Sequence, residues 1–240
     1  MDSADRLLFE PPELGCVLSL TGLPGDGSKI YDRSPYGNIG AITGASWKRL
    51  PSGLWCLSFD GNDDKVECGD DDSLVFGDGA NDSAFSIMAW VKMIDATNFA
   101  LLSKGVAAKY EYIVILDGTD KLLMRCYSGG DATKKIGRIY DTPLTTYEGK
   151  WVHIAGIYDG SKASSGIKLF LNASQVDDAD ASGGTYVAMD NYGEPVRIGR
   201  VWDSTTSNGF IALPRIYNRA LTTLEIQNHF LREKDLFGVW

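Results

Sequence analysis

Residues 151–172, with the sequence WVHIAGIYDGSKASSGIKLFLN, predict a β-hairpin. The part up to Tyr158 is almost continuously apolar and rich in strand-favouring residues, which is typical of a strand covered on both faces. Turn-forming residues, mainly aspartate, glycine and serine, follow it. Beyond the turn, Ile167, Leu169 and Leu171 alternate with the residues of the opposite face, which predicts a half-buried second strand. We expect further strands to be added around this hairpin.

The rest of the chain predicts short strands separated by turns. The turn signals recur about every 8–15 residues, which favours an all-β sandwich or jelly roll. The chain of 240 residues is long enough to bury a sizeable core, and its 27 glycines suit many tight turns. Besides the hairpin, strands are predicted at residues 14–20, 39–47, 54–59, 65–68, 84–93, 99–103, 110–116, 121–127, 134–140, 176–179, 185–189, 196–202 and 209–217.

One short helix is predicted near the C-terminus. Thr222 and Glu225 have the spacing of a capping box, and Leu221 and Ile226 occupy the hydrophobic staple positions around it. The helical spacing of apolar residues extends to about residue 232.

The pattern of elements predicts three parts in the chain. Residues 1–13 form an extended arm with two adjacent prolines, residues 14–231 form one domain, and residues 232–240 form an apolar tail.

Charge and hydropathy exclude several classes of partner. The formal net charge is -9 and the basic residues form no cluster, so we expect neither nucleic acid nor an anionic membrane as a partner. No stretch approaches the roughly 20 apolar residues that a membrane helix needs. The first residues also lack the apolar run of a signal peptide, which favours synthesis without one.

The cysteines and histidines do not form a metal or catalytic motif. The four cysteines lack C-x-x-C spacing and are predicted to be buried thiols rather than disulfides. His153 lies in the first strand of the hairpin, where we expect a core histidine with a hydrogen-bonded ring nitrogen. His229 lies on the predicted helix as a surface or packing residue.

Several segments, in this order, resemble the laminin-G-like jelly-roll domain of the concanavalin A-like lectin/glucanase superfamily. They are FSIMAWV at 85–91, WVHIA at 151–155, IKLFLN at 167–172, VRIG at 196–199 and RIYNRALT at 215–222. The resemblance covers about residues 14–231 and implies two stacked antiparallel sheets. It also implies a concave face or edge loops that bind ligands, often glycans and often with calcium. Similar domains occur on virion proteins as surface or adhesion modules.

Catalysis is not expected. Glucanases that resemble this fold have an E-x-D-x-x-E or E-x-D-x-E strand, and no glutamate of this chain begins either pattern. Retaining hydrolysis needs two carboxyl groups about 5–5.5 Å apart. We therefore predict that the domain is not an enzyme.

Calcium is the one cofactor for which the sequence offers candidates. Calcium needs six to eight oxygen ligands, so aspartates in converging loops are the residues to consider. By resemblance to the family's calcium site, Asp32 or Asp60 is the candidate for its first aspartate. The second aspartate is missing, since residues 209–212 read GFIA.

Loop aromatics beside polar side chains are the candidate glycan ligands, since sugars need an exposed aromatic face and hydrogen-bonding groups. The candidates are Trp202, Asp203, Asn208, Tyr186, Asn191 and Tyr192.

Two functions follow from this sequence. The first is a non-catalytic structural module displayed on a larger assembly, such as a phage virion, where it decorates the surface or adheres to a host. The alternative is a stand-alone carbohydrate-binding lectin-like module, with calcium as an open cofactor, and a glycoside hydrolase is a distant third. The expected partners are therefore proteins of an assembly, for example a viral capsid, or glycans. The expected location is a virion or cell surface.

Overall fold

The computed structural model describes residues 13–21, 23–24, 27–202 and 205–240. Within them, two large antiparallel sheets and one α-helix confirm the predicted jelly-roll sandwich with a short C-terminal helix. The predicted arm at residues 1–13 lies outside the described residues except for Glu13. None of the described helices is long and apolar enough to cross a membrane.

The strands are short and follow one another closely. In chain order they are β1 (Cys16–Ser19), β2 (Lys29–Ile30), β3 (Gly40–Thr43), β4 (Ser46–Arg49), β5 (Trp55–Asp60), β6 (Lys65–Glu67), β7 (Phe85–Asp95), β8 (Ala100–Val106), β9 (Lys109–Leu116), β10 (Leu122–Ser128), β11 (Asp131–Ile139), β12 (Trp151–Tyr158), β13 (Ile167–Leu171), β14 (Ser174–Gln175), β15 (Ala179–Asp180), β16 (Val196–Ile198), β17 (Arg200–Val201), β18 (Thr205–Thr206) and β19 (Asn208–Tyr217). The helix α1 (Thr223–Glu233) continues into a 3-10 turn at Lys234–Phe237.

The first sheet has the strand order β14-β13-β12-β7-β19-β5-β4, with β1 also paired to β19. The second sheet has the order β15-β11-β10-β9-β8-β16-β6-β3-β2, and β17 and β18 form a separate two-stranded ribbon. The predicted hairpin is confirmed: β12 pairs with β13 in the register Ala155 to Phe170, and every residue of β12 after Trp151 is buried.

The main core lies between the two sheets and contains a stack of aromatic rings. The rings of Phe76 and Phe85 are parallel, with centroids 4.5 Å apart, and Tyr112 packs 4.9 Å from Phe85. All three are at most 3% exposed. Burial of each such ring contributes on the order of 2 kcal/mol.

The outer face of the first sheet is covered by the C-terminal segment. The capping box is present, since Thr222 and Glu225 exchange hydrogen bonds that begin α1. Trp90 of β7 stacks on Phe237 at 4.3 Å and on Phe230 at 5.6 Å. The predicted apolar tail therefore packs against its own sheet.

A buried polar network lies beneath α1. Glu233 is 1% exposed and is in contact with Arg215 at 2.8 Å. His153 is a core residue as predicted, but no described residue makes the predicted hydrogen bond with its ring, and His229 is a packing residue, one of the two roles predicted for it. Both ring nitrogens of His153 are buried without a hydrogen-bond partner, because the ring lies between Trp90 and Phe230. His229 is buried too, and it contacts the carboxylates of Glu13 and Glu233.

Four predicted strands differ from the structure. Residues 176–179 lie mostly between β14 and β15, and residues 196–202 are divided between β16 of the second sheet and β17 of the separate ribbon. Residues 39–47 form β3 and β4, which belong to different sheets, because Gly44 turns the chain with a φ of 76°. A Cβ at Gly44 would lie 1.9 Å from Oδ1 of Asp64, so only glycine fits there. Residues 185–189 form no strand, since the backbone of Met189 is held by Asp82 and Gly79 instead.

The cysteine prediction is confirmed, because all four residues are free and buried. Burial raises the pKa of Cys16 to about 11 and that of Cys56 to about 12, so both thiols stay protonated at neutral pH.

Candidate functional site

The outer face of the second sheet carries a partly exposed cluster of aromatic and aliphatic side chains, which we call the aromatic platform. Its deep members are fully buried, while the members on top are half-buried and reach solvent. The platform comprises Tyr110, Ile113, Ile115, Leu123, Tyr127, Ile139 and Trp202.

Strand alternation explains how β10 builds this surface. Leu123, Arg125 and Tyr127 face outward because successive residues of a strand point to opposite faces. On β9 the pairing shifts: Lys104 lies opposite Tyr112, and Gly105 opposite Tyr110. The extra residue in this bulge turns Tyr110 onto the platform.

Trp202 forms the wall of the platform. Its ring lies 4.3 Å from that of Tyr110 at an angle of 60°, and 5.9 Å from that of Tyr127 at 71°. Its φ is 53°, which is costly for a bulky side chain, and its Nε1 is buried without a hydrogen-bond partner. The arrangement of Trp202 therefore lowers the stability of the fold, which is frequent for residues at functional sites.

The ribbon that carries Trp202 is held by hydrogen bonds at both ends. Ser103 of β8 donates to the carbonyl of Arg200 at 2.9 Å, and Arg200 donates to the carbonyl of Asp63 at 3.2 Å. Thr206 donates to the carbonyl of Gly61 at 2.5 Å. The platform wall is thus tied to the loop that follows β5.

Arg125 supplies the positive charge of the platform. Its side chain passes over Gly137 of the neighbouring strand. A Cβ atom at position 137 would lie only 2.7 Å from Cγ of Arg125, so the glycine leaves room for the arginine. Its Nε donates to the carbonyl of Ala181 at 3.3 Å. Burial raises the pKa of Tyr127 to about 12, although the neighbouring Arg125 acts against it. Burial and Arg125 together lower the pKa of Lys135, which lies beside Tyr127 on β11.

The structure places the predicted glycan residues in several different regions. Trp202 belongs to the platform, and Asp203 lies outside the described residues. Asn208 begins β19 and pairs with Asp60, so it lies near the base of the Trp202 ribbon. Tyr186 lies elsewhere, at an edge of the sandwich, where its hydroxyl donates to Asp82 at 2.5 Å.

Asn191 and Tyr192 lie in the loop before β16 and do not reach the platform cluster. The Asn191 side chain accepts a hydrogen bond from the backbone of Gly193 at 3.1 Å. The backbone of Tyr192 donates to the buried carboxylate of Glu111 at 3.2 Å. Both residues therefore take part in holding their own loop.

Asp32 and Asp60, the two alternatives for the first calcium ligand, take part in different loops. Asp32 accepts hydrogen bonds from the backbones of Ser19, Ser34 and Asn38, each at 2.8 Å, and from the Ser34 hydroxyl. Both of its carboxylate oxygens are thus occupied by hydrogen bonds that hold the loop after β2.

Asp60 belongs to a group of three carboxylates with Asp63 and Asp64, whose oxygens lie within 4.8 Å of one another. Burial, together with the charges of Asp60 and Asp63, raises the pKa of Asp64. The Asp60 carboxylate accepts hydrogen bonds from the backbone and side chain of Asn62. These residues offer oxygen ligands of the kind that calcium prefers.

The sequence analysis missed Tyr110, Tyr127 and Arg125. The alternation of β10 shows that Leu123, Arg125 and Tyr127 share one face of the strand. It does not show whether that face packs against the core or lies on the outside of the sheet. Tyr110 depends on the bulge in β9, for which Gly105 was the available signal.

Comparison with protein families identifies the fold. The laminin G model of the concanavalin A-like lectin/glucanases superfamily matches residues 60–227. The chain belongs to this superfamily. A comparison of this laminin-G-like domain with curated proteins found no match.

Solved structures share the fold of this laminin-G-like domain at low sequence identity. The binding domain of Paraclostridial Mosquitocidal Protein 1 is 19% identical with a TM-score of 0.66, and the match covers 94% of this chain and 55% of that chain. The botulinum neurotoxin serotype G binding domain is 15% identical with a TM-score of 0.66, covering 90% and 50%. The present chain thus spans about half the length of these toxin domains.

Another similar structure is domain 4 of AbnA, a GH43 extracellular arabinanase from Geobacillus stearothermophilus, solved in complex with arabinotriose. It is 16% identical with a TM-score of 0.63, and the match covers 90% of this chain and 98% of that domain.

Proposed function

We propose that this laminin-G-like domain is a non-catalytic glycan-binding module and that the aromatic platform is its ligand surface. The observation that carries the proposal is the difference between the two outer faces of the sandwich. The first sheet is largely covered by α1 and the tail, whereas the second sheet presents half-buried aromatic rings with Trp202 held at a positive φ.

The platform has the chemistry that sugar recognition needs. The rings of Trp202 and Tyr110 offer apolar faces for the C–H groups of a sugar, and Arg125 and Lys135 offer hydrogen-bond donors for its hydroxyls. The arabinanase domain solved with arabinotriose supports this reading by likeness of fold alone.

The proposal is tested by a glycan array probed with the purified domain, followed by calorimetry on each hit. We expect Tyr110→Ala and Trp202→Ala to weaken the affinity at least about tenfold, since each removes a stacking surface. Trp55→Ala is the matched control, because Trp55 is half-buried on β5 of the other sheet.

A flat array would reject the proposal. Equal affinities of the Tyr110→Ala and wild-type proteins would also reject it, because Tyr110 is only half-buried and we expect its truncation to leave the fold intact. Thermal unfolding of each variant verifies that point.

Display on a larger assembly, such as a virion or cell surface, is the second candidate function. It is favoured by Trp240 and Leu14, which are 93% and 86% exposed. Large apolar side chains this exposed suit contact with a neighbouring protein. Sedimentation of the wild-type and Trp240→Ser proteins tests it: concentration-dependent association that the substitution removes supports display, and a monomer at all concentrations counts against it.

A further inference from the structure

A cleft of about 430 Å³ opens on the outer face of the first sheet, beside the C-terminal tail and away from the aromatic platform. This volume is within the usual range for small-molecule sites. The cleft is lined by Lys92, Tyr147, Gly149, Lys150, Trp151, Val152, Asn172, Phe237, Gly238 and Val239.

The polar groups of this cleft are mostly hydrogen-bond donors. Lys92 on β7 is half-buried, and its side chain makes no hydrogen bond or ion pair with any described residue. Lys150 donates to the carbonyl of Thr146 at 3.0 Å and keeps further donors free. The oxygen of the Asn172 side chain accepts from the backbone of His153 at 2.9 Å, which leaves its amide nitrogen as a donor.

No aspartate or glutamate lines the cleft, although the chain has 32 acidic against 23 basic residues. Glu148, the acidic residue nearest in sequence, points to the backbone nitrogen of Ala96 and accepts its hydrogen bond at 3.0 Å. An anion bound beside the Lys92 ammonium would accept a charge-assisted hydrogen bond from it.

Trp151 adds an aromatic surface beside Lys92. The two residues pair across β7 and β12, so their side chains lie on the same face of the sheet. The indole contacts Phe237 at 4.8 Å and Phe210 at 6.3 Å between ring centroids, and it stays half-buried. A fixed ring next to a cation suits a ligand with both an apolar face and a negative charge.

We propose that this cleft is a second binding site, which takes an acidic saccharide residue with its carboxylate or sulfate group on Lys92 and Lys150 and its ring against Trp151. The site lies on the sheet opposite to the platform and uses none of the platform residues. Its function is therefore independent of the proposed function of the platform.

The test is calorimetric titration of the full chain with sialyllactose, a sulfated lactose, neutral lactose and sodium sulfate. We expect the two acidic saccharides to bind, with the tighter of them identifying the charged group, and their affinity to fall with salt. Lys92→Met should weaken this binding at least about tenfold, because it keeps the length of the side chain and removes the charge. Lys168→Met is the matched control, since Lys168 is an exposed lysine of the same sheet whose side chain makes no ion pair with the described part of the chain.

Several outcomes would overturn this proposal. They are the absence of acidic-saccharide binding, equal binding of neutral lactose, equal binding of sodium sulfate, and unchanged affinity in the Lys92→Met protein. Trp202→Ala is expected to leave the binding intact, so failure of the platform proposal and failure of this one can be told apart.

Discussion

Nε1 of Trp90 donates a hydrogen bond of 2.8 Å to Oε2 of Glu233, the last residue of α1. Glu233 also faces Arg215 at 2.8 Å, and all three residues are at least 92% buried. The helix is thus joined to the first sheet by a buried ion pair as well as by aromatic stacking. Because a buried charge without its partner is very costly, this contact should control how firmly the C-terminal segment is held.

We therefore expect Glu233→Gln to lower the free energy of unfolding by about 3 kcal/mol or more, since it leaves Arg215 buried without a counter-charge. Burial alone would raise the pKa of Glu233, but Arg215 and the hydrogen bond to His229 outweigh it and hold the pKa at about 2. The contribution of Glu233 is therefore present above its unfolded pKa of 4.5 and is lost as the pH falls toward 2.

Urea unfolding measures this effect at neutral pH and in acid. Glu225→Gln is the control, because Glu225 belongs to the same helix but is solvent-accessible in the capping box. A Glu233→Gln protein as stable as the control would contradict the prediction.

His153 should make the protein less stable in mild acid. Burial lowers the pKa of His153 to about 4, outweighing the attraction of Glu233, while the unfolded value is 6.5. The unfolded state therefore binds a proton that the folded state excludes, and about 2 kcal/mol of stability is lost between pH 8 and pH 5. His153→Phe should remove this loss, because both ring nitrogens lack partners. Unfolding of the two proteins at both pH values tests the prediction, and the same pH dependence in both would disprove it.

Much of the fold was predictable because local patterns and tertiary packing agree. The run up to Tyr158 is apolar on both faces because β12 lies between the core and the C-terminal segment. Thr222 and Glu225 lie at the N-cap and in the first turn of the helix that they cap, so their spacing in the sequence is enough to predict it. By contrast, residues 39–47 have one continuous strand pattern in the sequence, but they form two strands in different sheets. The turn between these strands depends on the close approach of Gly44 to Asp64, which the sequence pattern does not show.

The site was less predictable because it depends on which sheet face stays open. Trp202 was found as a loop aromatic, but its partners Tyr110 and Tyr127 lie in regular strands and look like core residues in the sequence. Tyr186 is also an aromatic residue beside polar residues in a predicted loop, but in the structure its hydroxyl donates a hydrogen bond to Asp82. Only long-range contacts distinguish these two aromatic residues.

Glu111 should have the opposite effect on the pH dependence from His153. Burial raises the pKa of Glu111 to about 7, although Lys104, 3.6 Å away, acts against the shift. The folded state then binds a proton that the unfolded state releases near 4.5, so stability falls as the pH rises toward 7. Glu111→Gln keeps an acceptor for the backbone of Tyr192 and leaves Lys104 its contact with Asp70.

We expect the Glu111→Gln protein to gain on the order of 2 kcal/mol relative to wild type between pH 5 and pH 8. Chemical denaturation at the two pH values measures this difference. A constant difference between the two proteins would show that Glu111 is ionised throughout, with Lys104 as its effective counter-charge.

Calcium binding at Asp60 stays a prediction, and the group formed with Asp63 and Asp64 makes it specific. A cation there would neutralise the charges that raise the pKa of Asp64 and would stabilise the folded state by mass action. We expect millimolar calcium to raise the melting temperature of the wild-type protein and to leave Asp63→Asn unchanged, since that change removes a ligand at an exposed position. Asp72→Asn, at an exposed position of another loop, is the control, whereas Asp32→Asn is not suitable because Asp32 holds its own loop. Equal responses of the wild-type and Asp63→Asn proteins to calcium would place the ion elsewhere, and magnesium at the same concentration distinguishes a selective site from general screening of charge.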